Sequence, residues 1–205
     1  MSFHERSARV PLVAAGPGIA PQTASNAVSH LDLLPTLVDL ASNGATVPLG
    51  AEDLDGRSLA ELLSGGTDDV SETTGEYTAE MTSHPIFMIR RDNLKYVHCD
   101  TDPPLLHDLD KDPDERINLA DDPAHKAVAD NFAHEVACRW DSDRIRAQVL
   151  ASQRDRRAIV AALDATPGVH SWDHEPPTDA ANSYVRNHAD VVAASLRSRL
   201  HLKEA

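Results

Sequence analysis

The feature that most constrains this fold is a block of short apolar runs, cut by turn signals, between Glu76 and Leu109. Ile86-Phe-Met-Ile-Arg and Leu94-Lys-Tyr-Val-His-Cys flank Arg91-Asp92-Asn93. That spacing predicts a hairpin, with Asn93 available for the left-handed turn position. Glu76 to Met81 precedes the hairpin and Leu105 to Leu109 follows it. Runs of this length separated by turns predict a small antiparallel sheet of four strands. A helix is expected next, with Asp122 as cap, Pro123 at the first position, and Val128, Phe132, Val136 and Trp140 as an i, i+4 stripe. A second helix is predicted from about Asp143 to Leu163, ended by Pro167-Gly168.

Upstream, Val10 to Ala15 is an apolar run closed by Gly16-Pro17-Gly18, which reads as a buried strand and a turn. Leu33, Leu37 and Leu40 recur at helical spacing. Pro35 fits only a first turn, where its missing N–H has no partner to lose. The helix is therefore expected to start near Asp32, whose carboxylate can cap free N–H groups. Residues 44–74 read as loop with a short helix around Leu59 to Leu63, and residues 65–74 as an acidic, flexible stretch. Residues 169–205 begin loop-like and end in a short helix near Val191 to Leu200.

Charge and cysteine usage narrow the function. The 205 residues carry 33 acids against 19 bases, a formal charge of −14. Such a field opposes nucleic-acid binding, which needs basic patches, and attracts cations. An acid-rich surface with few lysines also suits a salt-adapted or GC-rich source. Cys99 and Cys138 lie in unrelated contexts and make neither a disulfide framework nor a zinc pattern. They read as reduced, small buried residues, and the compartment as cytoplasmic. No apolar run approaches the roughly 20 residues of a membrane span, and Ser-Phe-His-Glu-Arg after Met1 does not open a signal peptide.

Several strings in order carry a family likeness. Phe3, Glu5, Ser7, Arg9, Val10, Pro11 and Leu12 come first, then His30-Leu-Asp-Leu-Leu-Pro-Thr-Leu and Asp55-Gly-Arg-Ser-Leu. Pro104-Leu-Leu-His-Asp-Leu-Asp-Lys-Asp-Pro-Asp-Glu-Arg-Ile-Asn-Leu119 follows. Together they resemble the C-terminal part of sulfatases of the alkaline-phosphatase superfamily. Tyr77-Thr-Ala-Glu80, Lys95-Tyr-Val-His-Cys-Asp100, Val149-Leu-Ala-Ser-Gln-Arg-Asp-Arg-Arg157, Trp172-Asp173 and Tyr184-Val-Arg-Asn-His188 are closer to choline sulfatases and their C-terminal extension. The resemblance implies hydrolysis of choline-O-sulfate to choline and sulfate. In that family a cysteine in a C-x-P-x-R motif becomes formylglycine, whose hydrate attacks sulfur beside a calcium-type divalent cation. Here Cys99 precedes Asp-Thr-Asp and Cys138 precedes Arg-Trp-Asp, so neither stands in that motif. No catalytic residue or metal ligand of the family falls on this chain. Met1 coincides with an internal methionine of the family pattern. The expectation is a late gene start, a split gene or a truncation, and no sulfate-ester hydrolysis by the chain alone.

The expected fold class is thus α/β, sulfatase-like and truncated. Residues 1–75 would be the remainder of the large α/β domain. Residues 76–140 would form the small antiparallel sheet with its packing helix, and 141–205 the choline-sulfatase-type extension. Choline offers a quaternary ammonium without a hydrogen-bond donor, so aromatic faces and carboxylates recognise it. The resemblance puts acidic substrate contacts in this half, and Glu80 and Asp190 are the candidates. Either could instead be a surface charge in an acid-rich chain. Met81 replaces the small residue expected after Glu80. Trp172 and Tyr184 suit a tail anchor better than a cation–π wall. His170 and His174 lack a third ligand for a metal, and His134-Glu135 is not a zinc-protease motif. Asp121-Asp122 reads as a helix cap and Asp68-Asp69 as a solvated loop. Arg154, Arg156 and Arg157 read as ion-paired with acids. The implied partners are choline-O-sulfate or choline in a complete enzyme, and further copies of the chain through the tail. The rival readings are half of another sulfatase or of a phosphonate monoester hydrolase, and a non-catalytic oligomerisation module.

Overall fold

The computed structural model describes residues 3–42, 54–79 and 82–165. Residues up to Arg154 form one unit; of the other, beginning at Asp155, the described part is the last turns of a long helix. The first unit is organised around a four-stranded antiparallel sheet in sequential order, β1 (Glu72–Tyr77), β2 (Ile86–Arg91), β3 (Leu94–Cys99) and β4 (Asp102–Asp108). The order is a meander because each pair is joined by a short connection.

Alternation sends the residues of each strand to two faces. On one, Phe87, Ile89, Tyr96 and Leu106 pack against Ala129, Phe132 and Val136 of α4 (Lys126–Arg139). Tyr96 stacks on Phe132 at 5.6 Å and Phe87 on Trp140 at 4.9 Å between ring centroids. Arg91 bridges Glu72 and Glu135, at 2.5 and 2.7 Å, and its guanidinium lies 5.4 Å from the Phe132 ring centre. That arrangement locks helix to sheet through paired charges rather than apolar area alone. The opposite face is covered by the N-terminal arm, whose short helix α1 spans Glu5–Ala8. A Cβ on Gly75 would stand 2.5 Å from Phe3 Cε1, so the missing side chain lets the arm's aromatic ring lie on β1.

Several expectations are corrected. Val10 to Ala15 is not a strand: it runs without a ladder, and Val13 is 88% exposed. An isolated extended segment has no neighbour to take its backbone groups. β1 starts at Glu72, four residues before the expected Glu76, because Glu72 and Thr73 pair with Arg91 and Arg90. Thus residues 72–74 belong to the sheet and not to an acidic loop. Asp92, not Asn93, takes the left-handed conformation, with φ of 52°. Asn93 instead donates its amide N–H to Asp108 at 2.8 Å. α4 begins at Lys126, after a turn in which Asp122 accepts from the Ala124 N–H at 3.0 Å and contacts His125 at 2.8 Å. Cys138 is exposed, whereas Cys99 is buried.

Other elements follow expectation. A 3₁₀ turn, His30–Asp32, leads into α2 (Leu33–Ser42), with Pro35 in its first turn. Asp32 reaches back to the Ser29 N–H at 2.8 Å and also accepts from Arg57 N at 2.9 Å. Gly56 makes that approach possible, since a Cβ there would meet the Leu31 carbonyl oxygen at 2.0 Å. α3 (Ala60–Leu63) and α5 (Ser142–Asp164) lie close to the expected ranges. No described helix is long and apolar enough to cross a membrane. The expected helix at Val191 to Leu200 lies outside the described residues.

Candidate functional site

The arm-covered face carries a row of basic side chains across three strands. Arg90 pairs with Lys95 across β2 and β3, and Lys95 with His107 across β3 and β4. Lys95 is 1% exposed. Its ammonium donates to the Phe3 carbonyl at 2.7 Å and to Glu5 at 3.0 Å, and it contacts Glu115. Glu115 also accepts from the Glu5 N–H at 2.6 Å and meets His4 at 3.3 Å. Burial pushes the Glu115 carboxyl up. The Lys95 and Glu5 hydrogen bonds outweigh it and hold the group below the usual carboxylate range. Sequence reading missed this cluster. Its one visible signal was a lysine between Leu94 and Tyr96 inside a strand.

The segment after β4 explains its own spacing of polar residues. Asp108 accepts from Lys111 at 2.7 Å and from Asn93, which holds it down to about 2. Asp112 accepts from the Ile117 N–H at 2.7 Å. Glu115, in the left-handed region with φ of 54°, turns its carboxylate toward Lys95. Asn118 accepts from Leu106 N at 2.9 Å and donates to the Pro104 carbonyl at 3.0 Å, covering the edge of β4.

A second polar cluster lies at the sheet end where the 78–85 connection leaves β1. An open cavity of about 770 Å³ there is lined by His84, His98, Asp100, Trp140, Ser142 and Arg144, among others. Asp100 accepts from the Ser142 hydroxyl and contacts His98 at 3.2 Å. The Ser142 bond is the main cause that holds Asp100 below its ordinary range; burial opposes it, and His98 adds to it. Trp140 donates to Glu76 at 2.6 Å. The Ser142 hydroxyl donates its hydrogen bond to the Asp100 carboxylate, and the imidazole of His98 contacts that carboxylate and not the hydroxyl. A nucleophile needs a base at that position, so this is not a triad. Among the described residues no group of three His, Cys, Asp or Glu side chains could hold a metal ion.

Glu80, which follows β1 in sequence, and Asp190 both lie outside the described residues, as do Met81, His170, Trp172, His174 and Tyr184. Asp68 is not a solvated loop residue: it pairs with Arg57 and accepts from the Val70 N–H at 2.9 Å. Arg154, Arg156 and Arg157 stand on α5, with Arg154, Arg156 and Arg157 all exposed.

Comparison with known proteins matches residues 2–140 to the family described as N-sulphoglucosamine sulphohydrolase, C-terminal. Residues 147–200 match the choline sulfatase enzyme C-terminal family. The choline-sulfatase of Rhizobium meliloti is 39% identical over 194 residues, covering 93% of this chain and 37% of that protein. A Δ4,5-hexuronate-2-O-sulfatase of Bacteroides thetaiotaomicron is 40% identical over 152 residues, covering 64% of the chain and 30% of its own length. A crystal structure of a sulfatase from Bacteroides thetaiotaomicron superposes with a TM-score of 0.57 at 32% identity, over 76% of this chain and 33% of the other. The chain thus spans about a third of the length of these relatives.

Proposed function

The chain belongs to the sulfatase family, and from that premise we propose that it is the C-terminal portion of a choline sulfatase. The complete enzyme would hydrolyse choline-O-sulfate to choline and sulfate. One observation supports this above the others: a sulfatase C-terminal region and a choline-sulfatase C-terminal region follow one another in a single chain. In this reading the chain up to β1 completes the large α/β domain, residues 72–140 are the small sheet with α4, and 141–205 are the extension. The formylglycine and the calcium-type cation would belong to the remainder of the enzyme, since no C-x-P-x-R motif occurs in the 205 residues.

This portion would contribute scaffold and substrate contacts. Glu80, in the connection after β1, and Asp190 would set carboxylates against the quaternary ammonium, which offers charge but no hydrogen-bond donor. The extension would carry contacts between copies of the chain.

Reconstitution tests the proposal. The chain would be mixed with a separately produced segment comprising the choline-sulfatase residues that precede the matched region. Sulfate release from choline-O-sulfate should be at background with the chain alone and should rise on mixing. In the mixture, Glu80→Gln should raise KM for choline-O-sulfate at least tenfold and leave hydrolysis of an aryl sulfate without a cationic group unchanged. Turnover by the chain alone, or no association with the preceding segment, would overturn the reading.

A further inference from the structure

The arm-covered face of the sheet holds an apolar cavity of about 310 Å³ that the proposed activity does not use. That is roughly the volume of ten waters and the lower bound of small-molecule sites. Its floor is made by Ile86, Val97 and Leu105, from β2, β3 and β4, with Phe3, Tyr77 and Pro103 around them. At one end lies His107, which is 3% exposed. Its Nδ1 stands 2.9 Å from the Ile117 carbonyl oxygen, so Nδ1 is the donor. With Nδ1 donating, Nε2 of the neutral tautomer is an acceptor, and among the described residues no donor reaches it. The neighbouring ring is His4, at 6.2 Å; it is half exposed and held to Glu115 by a contact of 3.3 Å. Its half-exposed ring is the neighbour with room to turn toward solvent. The nearby ammonium of Lys95 is already neutralised by Glu5 and Glu115. The other charged lining group, Asp102, is exposed to solvent, and no unpaired cation stands among the described lining residues. An anion therefore finds no partner here, and desolvating any ion against this floor would be costly.

We propose that this cavity is a binding site for a small uncharged molecule with an aryl or branched-alkyl body and one hydroxyl. The body fills the space between Ile86, Val97 and Leu105. The hydroxyl turns His4 aside and donates to His107 Nε2, supplying the partner that this buried acceptor lacks.

The test uses the 205-residue chain with 4-ethylphenol and, as its match without the hydroxyl, ethylbenzene. Both are titrated by protein NMR at fixed pH. 4-Ethylphenol should bind saturably, shift the methyl signals of Val97 and Leu105, and bind about tenfold more tightly than ethylbenzene. Val97→Phe, at a half-buried position, should fill the cavity and abolish both. His107→Phe should erase the preference for the phenol. Should that variant fail to fold, His4→Ala provides the second measure: it uncovers the acceptor and should tighten phenol binding only. Absence of saturable binding, equal affinity for the two probes, or binding that survives Val97→Phe overturns the proposal.

Discussion

Lys95 is the residue on which the arm-covered face turns. Its ammonium lies between two carboxylates that are 13% and 3% exposed at the side chain. Removing one partner from a buried ionic group leaves the others uncompensated, and that costs more than the pair contributes over an apolar replacement. Lys95→Met should therefore destabilise the chain by about 3–5 kcal/mol in urea unfolding. Lys95→Met with Glu115→Gln should recover part of that loss. Asp108 gives a pH signature. Its folded pKa, about 2, lies below its ordinary value of 3.8, so the folded chain binds fewer protons there. The stabilisation is present above pH 4 and is lost as pH falls toward 2. Its Lys111 partner is 81% exposed, so solvent screening limits the effect to about 1–2 kcal/mol. Asp108→Asn should remove that part of the acid-unfolding slope, measured by circular dichroism between pH 2 and 5.

At the scale of elements, the sheet is held from both sides by unlike means. α4 contributes an apolar stripe with an Arg91–Glu135 pairing, and the arm contributes one aromatic ring and the Lys95 cluster. The arm depends on Gly75, because a Cβ there would occupy the place of the Phe3 ring edge. Gly75→Ala should release the arm and speed trypsin cleavage after the already exposed Arg6 and Arg9. α4 and the sheet should unfold within about 1 kcal/mol of the parent, since the arm and α4 cover opposite faces. Cleavage at Arg6 and Arg9 no faster than in the parent would show that the arm has another anchor. The elements themselves were largely legible. The hairpin, the latter part of β4, α4 and α5 declare themselves through short apolar runs between turn residues and a period near 3.6, which need no knowledge of neighbours; the first residues of β4, Asp102 to Pro104, did not. The start of β1 was not legible, because Glu72 and Thr73 join the sheet through cross-strand partners on β2.

For the whole molecule, the exposed apolar surface of residues 10–13 and α2 is the feature to account for. Val10, Leu12, Val13, Leu34, Leu37 and Leu40 are all about half exposed or more, with Val13 at 88%. A helix that is apolar on so many sides is normally buried. In the proposed complete sulfatase these residues would meet the preceding part of the α/β domain. Val13→Lys with Leu37→Lys should leave the melting temperature of the chain unchanged, within about 0.5 kcal/mol of stability. The same variant should reduce binding of an apolar dye and abolish association with the preceding segment. An unchanged association would place that interface elsewhere.

The order of strands and helices and the family likeness were determined by the sequence alone, because turn residues and apolar periods act through adjacent positions. The path of the arm, the burial of Lys95 between Glu5 and Glu115, and the orphaned nitrogen of His107 were decided only by the tertiary structure. Those features join residues some 90 to 110 positions apart. Local pattern holds no term for such meetings; packing the arm on the sheet creates them.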